Sequence, residues 1–140
     1  MYRLLLVPFV LVALVACGGT APTATPTFAR HTIPAVLDTF KAKGLPVEDV
    51  KPGKPWKQGD LWPNVAVERQ VFTIPAVAPD SGVIQTFASQ QDRDAMVAYY
   101  ARFPDIAPYV YAHDNILVQL NRGLAKAEAE KYRVALESMR

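Results

Sequence analysis

The first sixteen residues decide which part of this chain is free to build a domain. Fourteen of them are apolar, with Arg3 the one charge and Pro8 the one breaker. A short basic start followed by the apolar run 4–15 has the layout of a cleavable export signal. The run is about 12 residues, whereas a helix needs roughly 20 to cross hydrocarbon, so the expectation is export and not a permanent span. Composition reads differently once this segment is set apart. The 140-residue chain is 51% hydrophobic; without residues 1–16 the figure is about 46%, ordinary for a soluble domain. The formal charge of +2 falls by one with Arg3, which excludes a nucleic-acid partner carried by charge alone. What remains has room for one domain with a modest core.

Directly after the run comes the chain's single cysteine, Cys17. Leu14-Val15-Ala16-Cys17 resembles the lipobox of bacterial lipoproteins: an aliphatic, a permissive position, a small residue, then cysteine. In that family the thiol is thioether-linked to diacylglycerol and the chain is cut before the cysteine. The resemblance implies a signal peptide over 1–16, palmitate-type acyl chains on Cys17, and membrane anchoring on the extracytoplasmic face, at the inner or outer membrane of a diderm. Two acyl chains hold stably where one binds marginally, since each buried methylene contributes about 0.8 kcal/mol. One cysteine makes no internal disulfide, and without a CxxC or Cys/His ladder the sequence suggests no metal and no cofactor. Residues 17–30, rich in threonine and proline, read as a tether reaching roughly 40 Å when extended at about 3.1 Å per residue.

The folded part is expected over 31–140. Thr32 suits a helix N-cap, Pro34 the first turn and Gly44 the C′ position, with Val36, Leu37 and Phe40 as the apolar face. Residues 47–50 read as a short strand, 51–64 as a proline-broken loop, and 65–74 as an alternating strand ended by Pro75. A turn over 79–82 leads into a strand over 83–88. Ser89 and Asp92 open a helix carrying Met96, Tyr99, Tyr100 and Phe103, which Pro104 stops. Strands 109–113 and 116–120 flank Asp114-Asn115, residues that both tolerate left-handed backbone, so a tight hairpin is expected. The last helix, about 124–139, has the seam Ala125, Ala129, Tyr132, Leu136 and Met139. The predicted class is α+β: a small, mostly antiparallel sheet of four to five strands with about three helices on one face. The domain is similar to uncharacterised lipoprotein domains of Chloroflexi and actinobacteria in its Lys43-Gly44-Leu45-Pro46 helix end, its Gln91-Asp92-Arg93-Asp94 helix start and its Asn115-Ile116-Leu117-Val118-Gln119 strand. That likeness carries no activity with it.

The sequence has no GxSxG, HExxH, phosphate loop or EF-hand loop. Its loop 51–64 holds both tryptophans, Trp56 and Trp62, together with Lys54 and Lys57, and loops carry function more often than cores do. Tryptophan beside lysine suits a glycan, lipid headgroups or a protein anchor; alternatively the two rings fold back to plug a small core. The sequence thus points to a lipid-anchored extracytoplasmic domain with no catalytic residue that binds an envelope protein or glycan. The runner-up is a small envelope hydrolase, or an accessory subunit of one, with His113 tuned by Asp114 as general base. His31, at the tether junction, reads as structural.

Overall fold

The computed structural model describes residues 28–79, 81–105 and 107–140. The expected signal segment, Cys17 and the tether up to residue 27 lie outside the described residues. No helix among the described residues is long and apolar enough to cross a membrane.

Helix α1 (Ile33–Ala42) begins where Thr32 Oγ1 accepts the Ala35 N–H, and it ends in a left-handed cap. Gly44 adopts φ +72°, its N–H bonds Lys41 O, and the Leu45 N–H bonds Phe40 O, which satisfies two orphan carbonyls. Leu45 is thereby turned into the core beside Phe40. The cap therefore falls at Gly44 as expected.

Strands β1 (Glu48–Pro52), β2 (Ala66–Thr73), β3 (Gly82–Phe87), β4 (Tyr109–His113) and β5 (Ile116–Leu120) form one sheet in the order β1-β2-β3-β5-β4, every neighbouring pair antiparallel. A 3-10 turn at Pro75–Val77 precedes β3, and the Ala78–Pro79 peptide is cis. Helix α2 (Gln90–Tyr100) starts from Ser89, whose hydroxyl accepts the Asp92 N–H, and helix α3 (Lys126–Glu137) closes the domain. On α3, Glu128 pairs with Lys131, and Arg133 with both Glu130 and Glu137.

The α+β class, the antiparallel five-stranded sheet and the three helices stand as expected. Their placement on one face does not, because the helices divide. The larger core joins α1 and α3 to one sheet face through Phe40, Phe72, Ile84, Ile116, Val118, Leu120, Tyr132 and Leu136. Phe40 meets Tyr132 edge-on at 5.1 Å between ring centroids. On the opposite face, Met96 of α2 packs with Phe87 and Leu117, and Trp62, Tyr100 and Val110 close around them. Strand β5 explains the difference: Ile116, Leu117 and Val118 are all fully buried, as a strand covered on both faces requires. Such a run is a sign of two-sided burial, which the expectation of all helices on one face passed over.

Two bulges aim the strand ends. Ala66 pairs with Phe87 but Glu68 with Thr86, so one extra residue sits in β2 and the strand changes face there. Val65 and Ala66 consequently join the α2 side, while Phe72 points to the larger core. A second irregularity in β1 lies between Glu48 and Lys51, with Asp49 at φ +46°.

Candidate functional site

The loop between β1 and β2 builds a cleft of about 360 Å³, lined by Lys54, Trp56, Trp62, Asn64, Arg69 and Gln85 among others. Its construction starts at Gly53, whose N–H continues the ladder to Arg69 O at 2.9 Å. A Cβ on Gly53 would stand 2.8 Å from the Arg69 side chain, so the glycine lets that side chain lie against the backbone. The guanidinium carbon then rests 5.9 Å from the Trp62 ring centroid, and Lys54 Nζ 5.2 Å from it. Two cations thus converge on one indole. Asp60 stabilises the loop: its carboxylate accepts Lys54 Nζ at 3.3 Å and the Lys57 N–H at 2.8 Å, across a turn in which Gly59 takes φ +97°.

The two tryptophans do different things. Trp62 is half-buried against the Phe87–Met96–Leu117 cluster and plugs the core on that side. Trp56 donates its indole N–H to Trp62 O at 3.0 Å and stays 38% exposed. Trp56, Trp62 and Lys54 line the cleft, whereas Lys57 contributes backbone to the turn and leaves its side chain in solvent.

Arg69 and Gln85 were not legible as cleft residues. They lie opposite one another in the β2–β3 register, and no local pattern states a register. Gln85 is 1% exposed and donates to the Tyr100 hydroxyl at 3.1 Å. Burial holds the Tyr100 phenol above its ordinary pKa, and nearby Arg69 opposes part of that rise.

A second constellation gathers at the β4–β5 turn. His31 Nε2 lies 3.1 Å from Asp114 Oδ2, and His113 Nε2 lies 3.4 Å from the same oxygen. The two imidazoles stack with centroids 5.7 Å apart. The sequence pairs His113 with Asp114 and sets His31 aside as structural at the tether junction; the fold brings His31 to Asp114 across 83 residues. The join is made by Asn115: its Oδ1 accepts the His31 N–H at 2.6 Å and its Nδ2 donates to His31 O at 2.9 Å. In the hairpin only Asp114 takes positive φ, at +46°; Asn115 is 5% exposed and spends its side chain on His31 instead. Arg93 Nη1 donates to Asp114 O at 2.6 Å, and His113 Nε2 lies 3.2 Å from Met139 O. Contacts to the domain begin before His31: Arg93 lies over the Phe28 ring at 5.7 Å, and Arg30 reaches Ala88 O at 3.2 Å. Among the described residues no serine, threonine or cysteine is hydrogen-bonded to either imidazole.

Comparison of the chain with protein-family models, curated proteins and solved structures finds no match.

Proposed function

We propose that this chain is a lipid-anchored extracytoplasmic domain whose loop cleft binds an acidic glycan of the cell envelope. The observation that carries the ligand class is the convergence of Lys54 and Arg69 on the Trp62 ring, beside a still exposed Trp56. An indole offers a flat apolar face to a sugar, and the two cations supply point and fork donors for a carboxylate or phosphate on it. Anchoring through Cys17 rests on the lipobox resemblance and holds the domain within a tether's length of the membrane that bears such polymers. This reading needs no catalytic residue: each imidazole is engaged with Asp114, and His113 also with Met139.

Both tryptophans of the chain border the cleft, so tryptophan emission, excited beyond the tyrosine band, reports this site. Titrating the full chain in detergent with galacturonate oligomers should shift the emission saturably, while neutral glucose oligomers of equal length should act much more weakly. Lys54→Gln and Arg69→Gln, which leave both indoles in place, should each reduce the affinity about tenfold, roughly the loss of one charge-assisted contact. An emission that ignores the acidic oligomer, or an affinity that neither variant lowers, refutes the cleft as the binding site. Independently, Cys17→Ser should abolish incorporation of labelled palmitate; label that persists refutes the anchor.

A further inference from the structure

We infer that His31, His113 and Asp114 bind a borderline divalent transition-metal ion of the zinc class. The cluster brings three ligand side chains suited to such an ion within 4.8 Å of one another. Two imidazoles and one carboxylate favour zinc, nickel or copper over magnesium or calcium, which prefer sites made of oxygen.

Two of the three spacings match the ion directly. A tetrahedral ion with bonds of about 2.0–2.1 Å separates its ligand atoms by about 3.3 Å, and the Nε2–Oδ2 separations here are 3.1 and 3.4 Å, within a set whose ligand atoms all lie within 4.8 Å of one another. Exposure fits as well. The His31 side chain is 9% exposed, His113 24% and Asp114 25%, so the cluster is shielded on one side and open to water on the other. An ion can enter from the open side and complete its shell with a water molecule, as sites with three protein ligands do.

The supports of each ligand are in place. The backbone of His31 is held on both its N–H and C=O by the Asn115 amide. Asp114 sits at a fixed left-handed turn position, with its carbonyl held by Arg93. His113 ends β4 and pairs with Ile116 in the ladder. Second contacts of this kind orient ligands and raise metal affinity. One contact opposes the ion: His113 Nε2 must release Met139 O at 3.2 Å, so the C-terminal residues move when the ion binds. The ion would thereby clasp the segment carrying His31, where the proposed tether enters, to the β4–β5 hairpin. The glycan reading plays no part in this inference, and the cleft shares no residue with the cluster.

The test uses the untagged full chain in detergent, titrated with zinc sulfate by calorimetry and with cobalt chloride by visible absorption. One ion per chain and a tetrahedral cobalt spectrum are expected. His31→Gln and His113→Gln keep the backbone bonds and should each weaken zinc binding at least about tenfold, the lower end of what disturbing a metal site costs. Asp114→Asn, which tolerates the positive φ, should do the same. The chain has two histidines, so their ring nitrogen resonances in the unaltered protein are assignable without variants, and both should shift by one equivalent of zinc. Unshifted ring resonances overturn the inference and leave a hydrogen-bonded clasp only, whether or not the variants fold. Zinc affinity unchanged in the three variants overturns it equally.

Discussion

Replacing Asn115 with alanine should loosen the domain where the segment before α1 meets the β4–β5 hairpin. The carboxamide makes two bonds to the His31 backbone, at 2.6 and 2.9 Å, and it is 5% exposed. Each such bond contributes about 1 kcal/mol net, and a buried group stranded without a partner costs about 1–3 kcal/mol. His31 lies outside every helix and strand, so its backbone can turn outward and recover water instead of staying stranded. That relief limits the loss, and we expect about 2–3 kcal/mol in all. For a domain of about 110 residues this lowers the Tm by about 10 °C. Urea unfolding of the full chain measures the energy, and hydrogen exchange locates it. The His31 amide should exchange at nearly the open-chain rate, while the Val118 amide in the central strand keeps the protection of the global fold. A change below about 0.5 kcal/mol, the size of an ordinary surface substitution, with His31 exchange unaltered, would refute the role given to Asn115.

The remaining predictions test the larger core and its surroundings. Gly82→Ala would set a Cβ 2.9 Å from Phe72 Cε2 and closer still to Cζ and Cε1, in a core where Phe40 and Tyr132 bar the ring's retreat. The expected loss is about 3 kcal/mol, the upper range for overpacking, and adding Phe72→Leu should recover part of it; a double-mutant cycle without coupling rejects the clash. Gly44→Ala should cost about 1–2 kcal/mol in urea unfolding, the strain of a Cβ at φ +72°, although open space surrounds the position. Tyr111 and Tyr132 are both pushed up to about 12, by burial first and then by Glu130 and Glu128 respectively. Their folded values lie above the unfolded value of 10.0, so the fold favours the neutral phenols: their contribution is complete below pH 10 and is lost as pH rises towards 12. Phenolate absorbance of the native protein should therefore lag that of the unfolded chain across this interval, and coincident titration curves would contradict the burial.

Local chemistry made much of the architecture readable. Thr32 and Gly44 bound the first helix because capping needs a side-chain oxygen at one end and a left-handed residue at the other. Ser89 opened the second helix for the same reason. The hairpin was legible from Asp114-Asn115, but the division of labour within it was not. Both residues suit a turn, and only the arrival of His31 gives the Asn115 amide a different task. The loop with Trp56 and Trp62 stood out by composition, whereas Arg69 and Gln85 entered the cleft through strand register, which sequence states only through a pattern that a bulge then interrupts.

By itself, then, the sequence determined what depends on neighbours along the chain: helix ends, strand alternation, the segment set apart by apolarity, and the residue types available for chemistry. Only the tertiary structure decided which sheet face each helix covers, since an apolar stripe demands burial but does not name its partner. It also brought His31 to Asp114 across 83 residues and set Arg69 beside Trp62. Those meetings depend on sheet order and register, and long-range hydrophobic burial selects these for the chain as a whole.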